Sequence, residues 1–421
     1  MRPVIAAISL VACVLGVWVC GRAGRARLLI SHINYKDDYK DDAGLLASIN
    51  EAIRLTPLDP EVHHARALVL WRMEQLPEAI REYESVVALR PRDYVPWFDL
   101  GITRDNNGDE EGALSAFKEA VRLAPHYGLP RWELGNLLLR MGQRDGAFTE
   151  LRRAAMSDPK LIPDVIDIAW EAYRGDARAV RQAIQPQSPQ ARLALAHFFA
   201  NHEKTTEAMD LFRAAGNVSD QHRRALLAEL LAAESFNEAH EVWSSGRDTS
   251  NGAGQSGSAA IIDGGFENGI SLDDTAFGWQ IARDVPAVHV SLDTHEPEAG
   301  MHSLRIDWGG NYNPSTPVVS QLVLVGPKMR YRLSFAARSE KLVTGGLPMV
   351  AVVDASGDES SLSQSVLLPR GTSGWQKYSI EFTTAEAARA ARITIRRQDC
   401  TTTPCPVFGR TWFDDFSMRN L

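Results

Sequence analysis

The stretch LGITRDNNGDEEGALSAFKEAVRLAP, residues 100–125, is answered 34 residues later by LGNLLLRMGQRDGAFTELRRAAMSDP, residues 134–159. Leu100-Gly101, Gly108, Ala113, Phe117, Ala120 and Pro125 fall in register with Leu134-Gly135, Gly142, Ala147, Leu151, Ala154 and Pro159. The preceding unit keeps Ala67, Ala79, Tyr83, Val86 and Pro91, so prolines stand at 57, 91, 125 and 159, each 34 residues from the last. A fixed period of this length is the signature of stacked helix pairs. Small residues at 101, 113, 135 and 147 let two antiparallel helices approach, and Tyr83, Phe117 and Leu151 fill the gap towards the next pair. Each proline stops the second helix, because it lacks an N–H and restricts the residue before it.

This pattern resembles the tetratricopeptide repeat over three units, about 60–159, with a half unit, GLLASINEAIRLTP (44–57), supplying Ala52 and Pro57 ahead of them. One departure is Arg104, where the family carries an aromatic. From Lys160 to about Ser245 helical periodicity continues while the register is lost, with Ala208, Ala215 and Ala239 at the small-residue positions of degenerate pairs. The expectation is one right-handed helical solenoid over 43–245. The resemblance implies a concave surface that holds a protein partner and carries no catalysis. His63-His64 look like a metal pair, but neighbouring helix residues point about 100° apart and no further ligand is spaced to join them.

Outward from the repeats, residues 3–21 form a charge-free, mostly apolar run followed by Arg22, Arg25 and Arg27. Its length is close to the ~20 residues that span a bilayer, and residues 1–27 are read as a membrane anchor. The rival is a lipoprotein signal at Leu10–Cys13, against which the apolar run continues through Val14 to Val19. Residues 28–42, with the mixed-charge tract NYKDDYKDDA, read as a polar leader. The arginines favour a cytoplasmic body by the positive-inside tendency. Cys400 and Cys405, in CTTTPC, suit a small disulfide in an oxidising compartment, the alternative being two free thiols. The balance of these signals and of the C-terminal domain favours an inner-membrane, single-pass protein whose body faces the periplasm. Net charge is -8 with 23% charged residues, so no basic footprint points to nucleic acid.

Helical signals end in the Gly/Ser-rich linker 246–260. Beyond it, over 261–421, PAVHVSLDT, MHSLRIDW, PVVSQLVLV, MRYRLSFAARS, PMVAVVDA, WQKYSIEFTT, ARITIRRQ and RTWFDDFSM alternate or are β-branched, which predicts eight strands in an all-β jelly-roll sandwich. The chain is therefore expected to be multidomain: transmembrane helix, all-α solenoid, all-β sandwich. DGGFENG (263–269), FGWQ (277–280), EAGMHSLRI (298–306), GWQKYSIEFTT (374–384) and WFDDFSM (412–418), in that order, resemble carbohydrate-binding modules with a galactose-binding-like jelly roll. The resemblance implies polysaccharide as ligand and a structural calcium held by Glu267 and Asp414, with carbonyls from the loop 300–303. It also implies inter-sheet packing for Trp279 and Trp375.

Asp414 and Asp415 are adjacent in a strand, so their side chains point apart and form no dyad. Asp273-Asp274 lie in a turn, and no spacing supplies a glycosidase pair or an activated nucleophile. Trp308 and Tyr312, in RIDWGGNYNP, are expected where a strand runs out into a polar loop, exposed for stacking on a sugar, with Arg397 and Gln398 adding hydrogen bonds. The resulting expectation is a non-catalytic adaptor in which the solenoid holds a protein and the sandwich a polysaccharide, in assembly or export of an exopolysaccharide. The alternative is a protein-only scaffold whose sandwich binds no sugar.

Overall fold

The computed structural model describes residues 2–31, 42–246, 261–270, 276–282, 285, 287–356, 360–400 and 404–421. The chain divides into two compact units, Met1–Gln187 and Ser188–Leu421.

The first unit is all-helical: α1 (Arg2–Ile30), α2 (Asp42–Leu55), α3 (Pro60–Arg72), α4 (Leu76–Leu89), α5 (Tyr94–Asn106), α6 (Glu110–Leu123), α7 (Gly128–Arg140), α8 (Arg144–Ser157), α9 (Ile162–Ala172) and α10 (Ala177–Ile184). The helices α2, α4, α6 and α8 each stop two residues short of the periodic proline. Asp59, Asp93 and Asp109 cap the starts of α3, α5 and α6 through side-chain bonds to backbone N–H groups. Close packing explains the glycines: a Cβ at Gly101 would lie 2.6 Å from the Phe117 ring, and one at Gly135 would lie 2.7 Å from Leu151 Cγ. A second period-34 feature was not anticipated. His63 Nε2 lies 2.9 Å from the Pro57 carbonyl, Trp97 Nε1 donates to the Pro91 carbonyl at 3.2 Å, and Arg131 Nε donates to the Pro125 carbonyl at 3.0 Å. Three different side chains thus do one task at one repeat position: they bond the carbonyl of the proline that follows the preceding helix.

Helix α1 runs past the expected end of the anchor. Its segment Ser9–Ile30 is long and apolar enough to cross a membrane, a signature that a signal sequence shares. Its last turns are built into the first helix pair, with Ala26, Leu29 and Ile30 packing among Ile49, Ala52 and Val62. Arg22 donates to the Leu55 and Arg54 carbonyls at the end of α2, Arg25 pairs with Glu51 at 2.6 Å, and Arg27 grips Asp59 through two 3.0 Å bonds. The residues Leu28–Ile30, expected to open a polar leader, are helical, with Leu29 and Ile30 packed and Leu28 exposed; residues 32–41 lie outside the described residues. The three arginines read as flanking charge are also bonded within the fold.

Among the described residues, the second unit joins four helices, α11 (Pro189–Asn201), α12 (Thr205–Ala215), α13 (Asp220–Ala232) and α14 (Phe236–Ser244), to ten strands. The boundary follows from QPQSP: α10 ends with Gln185 at φ 46°, and Pro186 and Pro189 interrupt the chain before α11. The side chains of His240 and Trp243 in α14 meet Phe277, with ring centroids 4.9 and 5.7 Å apart. The linker residues 247–260 lie outside the described residues.

The strands are β1 (Gln280–Ile281), β2 (Val288–Asp293), β3 (Ser303–Asn311), β4 (Val319–Leu324), β5 (Arg330–Thr344), β6 (Pro348–Asp354), β7 (Ser361–Gln364), β8 (Gly371–Thr383), β9 (Ala390–Arg397) and β10 (Pro406–Asn420). They form two five-stranded antiparallel sheets, β1-β4-β9-β6-β7 and β2-β3-β10-β5-β8. The two strands beyond the expected eight, β1 and β7, are the short edges of one sheet, too brief to show alternation. Between the sheets lie Leu304, Ile306, Val323, Phe335, Val350, Ile393 and Phe413, with Phe266, Trp279 and Phe416 closing one end.

Candidate functional site

In the first unit the first helix of each repeat, α3, α5 and α7, contributes to one shared face. His64 Nε2 of α3 lies 2.9 Å from Asp99 of α5, and Arg140 of α7 bonds to Asp105 of α5. Val95 and Leu129 hold the same repeat position, 34 residues apart, and are 37% and 56% exposed. Tyr127 stands beside them, exposed, its ring 5.0 Å from that of Tyr94. The face is therefore apolar at its rim and crossed by polar side-chain contacts between helices, and burial raises the Glu133 carboxyl, helped by Asp105. His63 joins no metal set: its Nδ1 is 2.6 Å from Glu82, and no group of three candidate ligands occurs among the described residues.

In the sandwich, Glu267 and Asp414 act on one loop, 298–302. Glu267 Oε1 accepts the Met301 and His302 N–H groups at 2.7 and 3.1 Å, which hold its carboxyl below the usual value. Asp414 Oδ2 accepts those of Glu298 and Ala299 at 2.9 and 3.0 Å, and its Oδ1 that of Asp415 at 2.7 Å. Burial raises the Asp414 carboxyl against the pull of these amides. Gly300, at φ +66°, is required here, since a Cβ would lie 2.1 Å from Glu267 Oε1. The expectation of loop carbonyls at this place needs correction. The loop presents N–H groups of Glu298, Ala299, Met301 and His302, and not carbonyls of 300–303, to the two carboxylates. The two acids staple the loop to the first turn and the last strand directly.

The adjacent Asp415 sits at φ 53° in a bulge between Asp414 and Ser417, exposed and 4.0 Å from Lys377, while Asp414 is fully buried. The pair is no dyad.

The proposed glycan contacts come together, but inside the protein. Trp308 stacks on Tyr312 with centroids 5.8 Å apart, and Arg397 lies 5.1 Å over the Tyr312 ring. Their exposures are 4%, 7% and 1%, so none of the three offers a face to a sugar. The reason is that β3 does not end at Trp308: Gly309 and Gly310 stay paired with Phe408 and Val407 of β10, which keeps Trp308 on the inner face with Leu304 and Ile306. Gln398 is exposed, with its N–H bonded to Leu347. Trp279 packs between the sheets as expected. Trp375 does not: it lies half-buried on β8, donates to the Glu296 carbonyl at 2.9 Å and faces Arg338.

Trp412, which donates to Asp293 at 2.8 Å beneath Arg338, and the exposed neighbours Phe408 and Val343 carry no distinguishing signal in the sequence. Alternation along RTWFDDFSM separates Phe413 from Trp412, but no local signal says which outward residue a neighbouring loop will cover.

Residues 64–128 match the Tetratricopeptide repeat family. The peroxisomal targeting signal receptor of Saccharomyces cerevisiae is 26% identical over 91 residues, 22% of this chain and 15% of the receptor. The chain thus matches about 15% of that relative's length. Among solved structures, MamA 41-end from Desulfovibrio magneticus RS-1 is 18% identical, covering 47% of this chain and 98% of its own, with a TM-score of 0.34. A chain described as CBM4 is 15% identical, covering 38% of this chain and 99% of its own, with a TM-score of 0.29.

Helices α3, α5 and α7 of the tetratricopeptide repeats supply the shared face. Arg104, at the aromatic position, donates to the Gly112 carbonyl at 3.1 Å and pairs with Glu84 at 2.7 Å, replacing ring packing by bonds between helices.

Proposed function

We propose that this protein is a non-catalytic adaptor held at a bilayer by α1, whose tetratricopeptide repeats engage a protein partner on the face shared by α3, α5 and α7. The observation that carries the reading is the repetition of exposed apolar side chains, Val95 and Leu129, at one repeat position on adjoining helices. Isolated surface apolars need no explanation, but repeated ones on a scaffold of this kind supply the anchors of an interface. The continuity of α1 into the first helix pair supports an anchor over a detachable leader. The test is co-purification from envelope membranes with the full-length protein and its Val95→Asp/Leu129→Asp variant. A partner retained by the first and lost by the second supports the reading; equal recovery by both contradicts it.

For the sandwich, polysaccharide binding in assembly or export of a surface glycan, on the periplasmic side, is the finer proposal. It rests on the ordered phrases that resemble carbohydrate-binding modules, and its contacts fall to exposed groups such as Phe408, Val343 and Gln398. The burial of Trp308, Tyr312 and Arg397 favours the second reading, a protein-only scaffold. Affinity electrophoresis of the full-length chain through polysaccharide gels separates the two: retardation supports the first, and unretarded migration the second.

A further inference from the structure

The residue Arg397 is a buried cation without an anion. Its Nε donates to the Gly346 carbonyl at 3.0 Å, and its Nη2 reaches Thr344 Oγ1 at 2.8 Å, the Cys405 carbonyl at 3.0 Å and Cys405 Sγ at 2.8 Å. The second sulfur, Cys400 Sγ, is 3.8 Å from the same nitrogen. Arg397 Nη1 and the Tyr312 hydroxyl are both buried, and the bonds of the guanidinium among the described residues go to carbonyls, a hydroxyl and sulfur, none to a carboxylate. Neutral carbonyls and a hydroxyl compensate a buried charge only in part. The group that stands where a counter-ion belongs is the sulfur of Cys405.

The two cysteines are bonded, with Cα atoms 6.0 Å apart. Their surroundings differ. Cys405 is buried, its N–H held by Asn311 Oδ1 at 3.0 Å, whereas Cys400 is half-buried beside the Gly345-Gly346 turn. A Cβ at Gly346 would come within 2.9 Å of Cys400 Sγ and 2.1 Å of the Gln398 carbonyl, so the turn closes on the sulfur only because it lacks one.

We propose that Cys400 and Cys405 form a thiol–disulfide exchange site for a small thiol or dithiol, in which Arg397 receives Cys405 as a thiolate. The incoming thiolate attacks Cys400, the less buried residue of the pair. The S–S bond breaks, and its electron pair leaves on Cys405 beside the guanidinium, which makes Cys405 the better leaving group. The second thiol of the reductant then displaces Cys400. A dithiol becomes a disulfide, Cys400 takes one of its two protons, Cys405 stays ionised, and the other proton goes to water. The exchange is independent of the adaptor reading and exchanges an uncompensated charge for an ion pair.

The test uses the full-length chain in detergent with Cys13→Ser and Cys20→Ser, leaving this pair alone to titrate. It is equilibrated across ratios of reduced to oxidised glutathione, trapped by alkylation and weighed by mass spectrometry. Arg397→Gln is expected to require a ratio about tenfold more reducing for half-reduction, the effect of losing one unit of thiolate stabilisation; an unmoved midpoint overturns the proposal. If the variant does not fold, thiolate absorbance of the reduced protein with Arg397 intact decides. One thiolate persisting below pH 7 supports the site, and two thiols titrating near pH ~8.5 overturn it.

Discussion

Replacing Gly101 by alanine sets two effects of opposite sign against each other. Within a helix, alanine is favoured over glycine by about 1 kcal/mol. The new Cβ, however, would lie 2.6 Å from two atoms of the Phe117 ring, which is fully buried and contacts Phe98 with centroids 6.0 Å apart. Overpacking at such a place costs about 1–3 kcal/mol because the ring has nowhere to retreat. The net expectation is a loss of about 1 kcal/mol, which lowers the melting temperature of a unit this size by about 2–4 °C. In a Phe117→Ala background the obstacle is absent, and the same substitution should raise stability by about 1 kcal/mol, a coupling of about 2 kcal/mol. Gly146→Ala is the control: the nearest atom to its Cβ would be Leu138 Cδ1 at 3.6 Å, so the change should be neutral or mildly stabilising. The assay is helical circular dichroism on heating. A Gly101→Ala protein that melts higher, or a substitution whose effect is the same with and without Phe117, would refute the close-packing argument.

Deleting residues 2–21 should leave the melting of the helical repeats unchanged, whereas deleting 2–31 uncovers Ile49, Ala52 and Val62 and should cost about 2–4 kcal/mol; equal melting would show that the end of α1 is not part of the fold. Melting in excess calcium and in excess EDTA should coincide if the N–H donors bonded to Glu267 and Asp414 are what holds the loop; a calcium-dependent rise of several degrees would favour the cation. The Glu267 carboxyl is held below its ordinary value of 4.5 by the Met301 and His302 amides, so its contribution is complete above about pH 4.5 and is lost as the pH falls through the folded value. Glu267→Gln should therefore flatten the acid limb of sandwich stability, and an unchanged acid slope would count against the staple. Replacing the buried Arg397 by methionine should leave glycan affinity, where any is found, unaltered so long as the sandwich folds, since the side chain is 1% exposed.

Much of the helical part was legible because a repeat states its rule several times. Four prolines, two glycines and the alanines between them fix helix ends and crossing points from local causes alone. The same period also contained the side-chain bonds of His63, Trp97 and Arg131 to the preceding proline carbonyls, but three unrelated residue types at one position hide a common role. The end of α1 was misread for a different reason: Arg22, Arg25 and Arg27 look like membrane-flanking charge until their partners, 26 to 33 residues away, are seen. In the sandwich, two glycines after Trp308 suggested a loop. The alternation Leu304, Ile306, Trp308 had already placed the ring inward, and it is the better guide, since glycine does not end a strand whose neighbour keeps the ladder. The Arg397–Cys405 contact is long-range in character despite the short separation, because it depends on the β5–β6 turn closing over both.

The central claim is that the face shared by α3, α5 and α7 binds a protein. It is tested most directly by placing a photo-reactive amino acid at 95, 129 or 118 in the full-length protein and irradiating living cells. Positions 95 and 129 should yield the same discrete adduct, and position 118, on α6, should yield none. Adducts at all three positions alike, or at 118 alone, would contradict the account.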